Sequence, residues 1–509
     1  MKRVWIWMLS LICVLLCFSG CSIAEPQTNN KEQNVQKTES ELYVVHSNQN
    51  LLGSWKAKYG VIRDDGTLIL PIVYDHIEIL TDLATGEAIW LQSCETIVND
   101  DVEISENIME QYYQSMTLNE GTPFFIHRYQ LYDLDGTVIG EPSDCGIRQI
   151  CGDLILYQDG RLIYAPNDEM LLDNCDNIRS GEDGYVAVYD QYKKVCVLNQ
   201  NLDMMLDIKG SENFTDSQGR TLIVTTGEDG QKGLCLADGT QLVPEEYDYF
   251  MDYYSMQVPY IQAMKNGITS VISLSDGKVV YTADDKYEYV QELFDDFMVI
   301  QKRGEVEKEN SVWPVYEYTS QLYDYNGRPK SRVYRSLSPE NDLYQRTKEQ
   351  NGDDVLLFHA EEMDGSRCLV DEKGRVIYEI ADGEWANVLT ENCLIVNNQD
   401  WSSAELRNLD NEVLNKREYE SINNLYLGAK GVNGYYSRST LAAGWYTYNN
   451  VQLMDVLDAE GNVLIERLKS VDMLSEDLFW VEKGFSRGLM DREGNWLYEQ
   501  SIFDSKIDE

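Results

Sequence analysis

Basic residues are scarce in this sequence of 509 residues. Lysine and arginine together number 42, against 87 aspartates and glutamates, and the formal net charge is −45 at pH 7. Such a surface repels phosphate backbones, so the composition argues against nucleic acid as a partner. Solubility beside an anionic cell surface explains the excess of acid, and binding of cations or of a basic partner is the sharper alternative.

Histidine is scarcer still, with four in the chain: His46, His76, His127 and His359. Residues 484–488 match the GxSxG pattern of a hydrolase nucleophile, but a triad needs a histidine after the serine and none follows Ser486. Paired carboxylates for glycoside hydrolysis are uninformative here, because acids are so abundant that any pair can be chosen. The sequence therefore predicts no catalytic residue and no enzyme.

Cysteine spacing shows no CxxC pair and no metal-ligand pattern, so neither a metal nor another cofactor is predicted. The Asp-Gly pairs at 135–136 and 65–66 suit hairpin turns better than a calcium loop, which needs its glycine at a different position. The cysteines beyond the N-terminal region permit disulfides. Several lie in apolar strand patterns, which favours mostly free, buried thiols, and Cys145 with Cys151 is the pair to test.

The longest apolar run, Val4–Phe18, follows Lys2 and Arg3 and is shorter than the ~20 residues of a transmembrane helix. Residues 1–20 therefore read as a secretory signal peptide. The run ends in Phe18-Ser19-Gly20-Cys21, which resembles a bacterial lipobox, although leucine is usual where Phe18 stands. The resemblance implies lipidation of Cys21 and a protein anchored to the bacterial cell membrane, facing outside the cytoplasm. An ordinary cleaved signal or an uncleaved anchor is the alternative.

Residues 21–41 are polar and nearly free of apolar side chains, which predicts a flexible tether. Helical periodicity is almost absent from the rest of the chain. The exception is 104–116, where the apolar residues share one helical face. We therefore expect an inserted helix near 104–117, between two repeats.

A hairpin-like phrase recurs along the chain. Residues 59–71 read YGVIRDDGTLILP and are followed by Tyr74-Asp75, while residues 232–244 read KGLCLADGTQLVP and are followed by Tyr247-Asp248. Weaker copies near residues 131, 271, 322, 368, 453 and 488 repeat the order of apolar strand, polar turn with glycine, and apolar strand. Asp-Gly and Asn-Gly turns suit such hairpins, so the chain is a repeat protein.

The spacing of the turn glycines, near 40 residues, is typical of β-propeller blades or of a β-solenoid. The fold class predicted for residues 42–509 is therefore all-β, a β-propeller-like assembly of repeated β-hairpin blades, with a β-solenoid as the alternative. The length allows seven to ten units. Ring closure would protect sheet edges, and we expect the strand at 496–498 to pair beside the strand at 42–45.

The phrase resembles the WG-repeat (KWG-repeat) family, whose units carry an aromatic residue and glycine, an apolar pair, an Asp-rich glycine turn, an apolar run to proline, and Tyr-Asp. Tyr59-Gly60 and Lys232-Gly233 keep only the glycine of the opening dipeptide. The resemblance covers most of residues 45–500, strongly at two units. It implies a β-rich, propeller-like repeat domain and carries over no catalytic residues.

Aromatic residues cluster in several places, and the stretch from 435 to 448 interrupts the repeat with glycines near its ends, as a loop would. Exposed aromatics stack on sugars or anchor protein partners, although aromatics in β repeats more often form core. The predicted ligand-binding residues are Tyr435, Tyr436, Trp445 and Tyr446.

The predicted function is that of a non-catalytic, membrane-anchored surface lipoprotein that binds or scaffolds an envelope protein or a cell-wall glycan. The alternative is a cell-surface hydrolase of glycan or wall polymer, suggested by the many acids and aromatics. A structural subunit of an envelope complex is a third class.

Overall fold

The computed structural model describes residues 41–47, 57–98, 125–180, 183–190, 195–199, 204–208, 210–251, 258–306, 315–340, 355–427 and 437–502. The predicted signal peptide at 1–20, Cys21, nearly all of the tether and the expected helix near 104–117 lie outside these residues. Everything described below belongs to residues 42–509, which form one compact unit.

The first half of this unit consists of short antiparallel strands that follow one another closely. Their bounds are β1 Leu42–His46, β2 Tyr59–Arg63, β3 Leu68–Tyr74, β4 His76–Thr81, β5 Ala88–Val98, β6 Phe125–Tyr132, β7 Val138–Ser143, β8 Ile147–Cys151, β9 Leu154–Tyr157, β10 Leu162–Tyr164, β11 Glu169–Leu172, β12 Cys175–Ser180, β13 Val186–Asp190, β14 Val195–Leu198, β15 Met204–Ile208, β16 Gly210–Thr215, β17 Thr221–Thr226, β18 Lys232–Leu236, β19 Gln241–Tyr247, β20 Tyr249–Met251, β21 Tyr260–Lys265, β22 Ile268–Ser273 and β23 Val279–Thr282.

The second half continues in the same manner, with longer strands in two of its hairpins. Its bounds are β24 Glu288–Leu293, β25 Phe297–Val306, β26 Val315–Asp324, β27 Ser336–Pro339, β28 Leu357–Glu361, β29 Arg367–Asp371, β30 Val376–Ile380, β31 Glu384–Thr390, β32 Cys393–Asn398, β33 Ala404–Asn408, β34 Ser421–Leu427, β35 Ser437–Tyr448, β36 Val451–Leu457, β37 Val463–Leu468, β38 Ser470–Ser475, β39 Leu478–Lys483, β40 Ser486–Asp491 and β41 Trp496–Ser501.

Each strand pairs with its neighbours in sequence, so the sheets are antiparallel meanders of three or four strands, which we call blades. Within the described residues there are eleven: β1–β3, β4–β7, β8–β11, β12–β15, β16–β19, β20–β23, β24–β26, β27–β30, β31–β33, β34–β37 and β38–β41. Blades 10 and 11 are joined into one sheet by a single parallel bridge between Leu427 and Met473. In blades 7 and 9 isolated bridges, such as Tyr323 with Pro329 and Arg407 with Val413, stand where a fourth strand would lie.

The two clear sequence repeats have the same register. Tyr59 lies opposite Tyr74 and Val61 opposite Leu70, while Lys232 lies opposite Tyr247 and Leu234 opposite Val243. Both hairpins therefore skip residues on the second strand, and the bulge that results contains the proline, which has no N–H to give to a ladder.

The glycine at the start of each repeat is required by this bulge. A Cβ atom on Gly60 would lie 2.7 Å from the Leu70 carbonyl oxygen, and one on Gly233 would lie 2.7 Å from that of Val243. These distances are shorter than a carbon–oxygen contact permits. The repeated glycine thus reflects close approach of two backbones, while the turn glycines Gly66 and Gly239 are needed for their φ of 86° and 87°.

The Tyr-Asp pair that ends each repeat leads directly into the next blade. Asp75 Oδ2 accepts the N–H of Thr96 in blade 2 at 2.8 Å, and Asp248 Oδ2 accepts the N–H of Asn266 in blade 6 at 2.7 Å. One carboxylate therefore satisfies a backbone donor of the following sheet, which explains why the pair recurs with the hairpin.

Side-chain amides connect other neighbouring blades. Gln92 exchanges two hydrogen bonds with the backbone of Ile147, and Asn397 does the same with Ile422. Gln149 accepts from the N–H of Ile178, the first strand of its next blade. Side-chain amides of this kind form hydrogen bonds with buried main-chain N–H and C=O groups, which would otherwise lose their hydrogen bonds to water and gain no new partner.

The hydrophobic core is divided into eleven clusters among the described residues, one between each pair of neighbouring blades. The last of these joins the first blade to the eleventh, because Tyr43, Val45 and Ile62 pack against Trp480 and Leu489. Trp480 Nε1 also donates to the His46 carbonyl oxygen at 2.9 Å. The blades form a closed, propeller-like ring, and the solenoid alternative does not apply.

Two expectations about this ring were wrong. The described residues hold eleven blades rather than seven to ten, because most blades are shorter than the period read from the clearest glycines. Closure does not come from pairing of the strands at 496–498 and 42–45, since β1 pairs only with β2 and β41 only with β40. It comes from side chains packed between the faces of two sheets.

Candidate functional site

The predicted aromatic stretch is a strand in the part that the structure describes. Tyr435 and Tyr436 lie outside the described residues, whereas Trp445 and Tyr446 belong to β35, the central strand of the hairpins of blade 10. The expectation of a loop was therefore wrong for residues 437–448. The interruption of the repeat reflects a longer strand, in which the consecutive residues Leu441, Ala442 and Ala443 are all buried.

Both described aromatics have packing partners. Trp445 lies against the core between blades 10 and 11, and Tyr446 lies against the core between blades 9 and 10. The Tyr446 hydroxyl donates to Asp455 Oδ1 at 3.1 Å. A ligand-binding role for these residues stays a prediction, and their contacts give each of them a part in the core.

Asp455 is completely buried, and its carboxylate is the centre of what we call the Asp455 cluster: Asp455, Arg417, Tyr419, Tyr446 and Arg467. The Tyr419 hydroxyl and the Arg467 N–H donate to it, each at 3.0 Å, and the Arg417 guanidinium pairs with Oδ2. Burial, followed by the Asp455 charge, raises the pKa of Tyr419, so its hydroxyl remains a donor. Every oxygen of the carboxylate is occupied.

Gly444 makes room for this arrangement. It lies opposite Asp455 in the ladder, and a Cβ atom there would lie 2.7 Å from the ring of Tyr419. The glycine that suggested a loop instead lets an aromatic ring lie against the sheet.

A second group of tyrosines lies on blade 7. Arg303 of the central strand β25 is opposite Tyr318 of β26, its N–H donates to the Tyr287 carbonyl, and the neighbouring Gln301 is opposite Tyr289. Cross-strand partners share a face of a sheet, and so do residues two apart along a strand. These relations place Tyr287, Tyr289, Arg303, Tyr316 and Tyr318 on one face, which we call the tyrosine–arginine face.

Arg303 lies between two of these rings. Its Cζ atom is 4.8 Å from the ring centre of Tyr287 and 4.4 Å from that of Tyr316, both within the range of a cation–π interaction. Tyr287, Tyr316 and Tyr318 are 40%, 39% and 42% exposed, so the face is open to solvent. Lys286 adds a second cation, with Nζ 5.1 Å from the ring centre of Tyr287.

The charge of Arg303 is not neutralised within the described residues. Among the side chains that the structure describes, no carboxylate forms an ion pair with its guanidinium, and its Nε is buried without a hydrogen-bond acceptor. Burial, followed by the charge of Tyr318, raises the pKa of Tyr289, although Arg303 opposes this. The face therefore offers a guanidinium beside tyrosine hydroxyls and exposed rings.

Sequence reasoning missed this face, although a signal was present. The tripeptide Tyr-Glu-Tyr occurs at residues 287–289 and again at 316–318, and tyrosines two apart in a strand share a face. The middle residue of the first copy, Glu288, is buried on the opposite side and pairs with Lys302 at 2.7 Å.

A further ionic group links blades 8 and 10. Buried Glu340 contacts His359 Nε2 through Oε1 at 2.5 Å and Arg438 Nη1 through Oε2 at 2.7 Å. Burial alone would raise the pKa of Glu340, but the His359 hydrogen bond and Arg438 outweigh it and lower the pKa. Both carboxylate oxygens are engaged, as in the Asp455 cluster.

The turn aspartates are occupied by their own turns. Asp133 Oδ1, for example, accepts the N–H groups of Asp135 and Thr137 at 3.0 and 2.7 Å. Within the described ranges, no group of three histidine, cysteine or acidic side chains is arranged to hold a metal ion. Seven cysteines in those ranges are free thiols, Cys145 and Cys151 among them. The same ranges contain no helix with the length and apolarity needed to cross a membrane.

Comparison with sequence families gives one partial match. A family model described as a domain of unknown function (DUF5046) matches residues 418–509, which contain blades 10 and 11 and most of the Asp455 cluster. No curated protein sequence matches the chain.

Solved structures resemble this chain only distantly. The crystal structure of the eukaryotic initiation factor has a TM-score of 0.37 at 8% identity and covers 67% of this chain and 93% of its own. BamB from Moraxella catarrhalis has a TM-score of 0.23 at 12% identity and covers 62% and 94%. The C-terminal WD40 domain of Sif2 has a TM-score of 0.24 at 12% identity and covers 62% and 95%.

Likeness at this level carries no functional argument, and the architecture is established by the order, register and closure of the blades. This chain is an all-β repeat protein with a β-propeller-like fold.

Proposed function

We propose that this protein is a non-catalytic surface lipoprotein, anchored to the membrane through Cys21, that binds an envelope protein or a cell-wall glycan. The contact surface would be the tyrosine–arginine face. The observation that carries the proposal is Arg303, a cation held between exposed tyrosine rings and without an acidic partner among the side chains that the structure describes, in a chain with 87 acidic residues.

Tyrosine and arginine are, with tryptophan, the residues enriched at the centres of binding surfaces, because they combine apolar area with directed hydrogen bonds. The supporting scaffold is rigid, since blade 7 packs against both neighbours through buried residues such as Val290 and Phe358. A rigid sheet that presents an exposed polar-aromatic face suits recognition of a partner without chemistry.

The hydrolase alternative has less support. Two buried carboxylate groups, Asp455 and Glu340, have their oxygens engaged by arginine, histidine, tyrosine or backbone donors. A general acid or base needs a carboxyl group that can reach a substrate and exchange its proton. The resemblance to the WG-repeat family stays a prediction and adds no catalytic residue.

The test of the contact surface is photo-crosslinking in cells. A photoreactive phenylalanine analogue replaces Tyr318 in the full-length protein, and a matched variant carries it at Phe485, which is 68% exposed on blade 11. We expect one envelope component to be captured from position 318 and not from position 485. Equal capture from both positions, or capture from neither, would contradict the proposed surface.

The anchor is tested separately. A Cys21→Ala variant should lose labelling by a fatty-acid analogue and move from the membrane fraction to the soluble fraction. Recovery of this variant in the membrane fraction at the wild-type level would contradict the lipid-anchor proposal.

A further inference from the structure

We infer that the ligand of the tyrosine–arginine face is an anionic glycan, a sugar polymer whose repeating unit carries a carboxylate or a phosphate. This inference rests on the proposed binding function and names the class of its ligand. It is carried by the charge, the geometry and the exposure of the face.

The charge of Arg303 favours an anionic ligand. Arginines elsewhere in the described part of the chain commonly pair with an acid, as in Arg220 with Asp216 at 2.6 Å and Arg407 with Glu384 at 2.9 Å. Acidic residues outnumber basic ones two to one in the sequence, and Arg303 nevertheless has no such partner among the side chains that the structure describes. Because this guanidinium is partly desolvated, pairing with an incoming anion would lower its free energy.

The position of the Arg303 guanidinium also suits an anion. The Cζ atom of Arg303 lies over the rings of both Tyr287 and Tyr316, so two aromatic rings hold the guanidinium in place. The edge of a guanidinium matches a carboxylate or a phosphate, which accepts two parallel N–H donors. Held between rings, the group loses little side-chain entropy when it binds.

The neighbouring Tyr318 suits the sugar part of the ligand. Tyr318 lies opposite Arg303 in the ladder and is 42% exposed, so its ring is available beside the ion-binding edge. A sugar ring has an apolar face that packs on an aromatic ring and hydroxyls that bond to a tyrosine hydroxyl. An acidic sugar therefore matches the cation and the neighbouring ring together.

A glycan is favoured over a protein partner by the net charge of −45. A protein that presented an acidic patch would bring a broad negative surface against another one, and this repulsion would extend over the whole interface. A thin polymer contacts the face at a few groups, and its remaining charges are screened beyond a Debye length of ~8 Å at physiological salt.

The experiment measures binding of the full-length protein, in detergent micelles, to three polymers. These are polygalacturonate, its fully methyl-esterified form, and a poly(glycerol phosphate) teichoic acid. We expect binding to at least one of the two anionic polymers, at least tenfold weaker binding to the ester, and weakening as salt is raised. Arg303→Gln should reduce affinity at least tenfold, Arg303→Lys should reduce it less, and Tyr318→Ala should reduce it independently.

The matched control is Arg335→Gln. Arg335 is a partly exposed arginine on the neighbouring blade that pairs with Glu361 at 2.8 Å, so its loss should leave binding unchanged. Carboxylate-only or phosphate-only binding identifies which anion is recognised, and either result supports the inference if it depends on Arg303.

Equal binding of the ester and the acid would overturn the anionic ligand and leave glycan binding intact. Binding that is unaffected by Arg303→Gln would overturn the assigned site. If no polymer binds and a single protein is captured from position 318, the glycan inference fails while the proposed binding function survives. If no polymer binds and nothing is captured, both fail.

Discussion

The protein has two groups of tyrosines, and each group surrounds a single charged side chain. The two groups differ in whether that side chain has an oppositely charged partner among the described residues. In the Asp455 cluster of blade 10, a fully buried carboxylate receives hydrogen bonds from two tyrosine hydroxyls, an arginine and a backbone N–H. On the tyrosine–arginine face of blade 7, Arg303 lies between exposed rings and has no acidic partner among the described residues.

The comparison shows that aromatic content alone does not separate a core from a binding surface. Both groups lie on blades that contain long strands, β25 and β26 in one case and β35 in the other. In both groups, tyrosines lie two residues from another aromatic residue or opposite a charged residue. A satisfied buried charge stabilises the fold only while all its partners remain. A half-buried charge without an acidic partner adds no ion pair to the fold and retains its capacity for a ligand.

The largest effect is expected from Asp455→Ala. The substitution leaves Arg417 without its buried partner and two tyrosine hydroxyls without an acceptor, so we expect a loss of about 3 kcal/mol in the free energy of unfolding. The measurement is denaturant-induced unfolding followed by tryptophan fluorescence.

Its control is Asp135→Ala, which removes an exposed ion pair with Arg63 on blade 1. That change should cost below about 1 kcal/mol. Equal stability losses for the two variants would mean that the Asp455 cluster does not support the fold.

A matched pair of hydroxyl deletions sharpens the contrast between the two groups. Tyr446→Phe removes a hydroxyl that donates to Asp455 and should cost about 1 kcal/mol. Tyr316→Phe removes an exposed hydroxyl and should change stability by less than about 0.5 kcal/mol. Thermal unfolding of both variants beside the wild type measures the difference, and a reversed order would break the comparison.

The ring closure provides an intermediate case, in which a half-exposed ion pair joins the first and last blades. His46 Nε2 lies 3.3 Å from Asp472 Oδ2, and this hydrogen bond, which outweighs the effect of burial, raises the pKa of His46 above 6.5. A raised folded-state pKa means that the stabilisation is fully present below pH 6.5 and is lost as pH rises through the folded value.

The expected gain is at most about 1 kcal/mol, because Asp472 is largely exposed. The measurement is the difference in unfolding free energy between wild type and His46→Gln from pH 5 to pH 9. The difference removes the opposite contribution of His76, whose pKa is lowered by burial. A difference that grows with rising pH would contradict the assigned pair.

The smallest effect on stability is expected from Arg303→Gln. No ion pair is lost among the described residues, and the rings remain packed on the sheet, so the melting temperature should match that of the wild type. The same variant should lose ligand affinity, which is the property that distinguishes this face from the Asp455 cluster. A large fall in melting temperature would show that Arg303 belongs to the core.

The predicted hairpin of the repeat was confirmed, because its geometry depends on residues close together in the chain. The hairpin at residues 59–74 follows from the turn glycine, the strand glycine and the proline, each of which acts within the same two strands. The number of blades could not be predicted from the sequence, because blades such as β12–β15 have the strand pattern without the full repeated phrase. Burial between blades constrains polarity and size, and it does not require one particular residue at each position.

The sequence by itself determined the fold class and the hairpin unit, since alternation and turn chemistry depend on residues close together in the chain. Tertiary structure decided that the ring closes by packing of Trp480 against Tyr43 and Val45, because those residues meet only after eleven blades have accumulated their rotation. It also decided which tyrosines are free for a ligand. Tyr446 and Tyr316 are the same residue type in the sequence. They differ because Tyr446 lies beside a buried carboxylate, while Tyr316 lies beside a guanidinium that has no acidic partner among the described side chains.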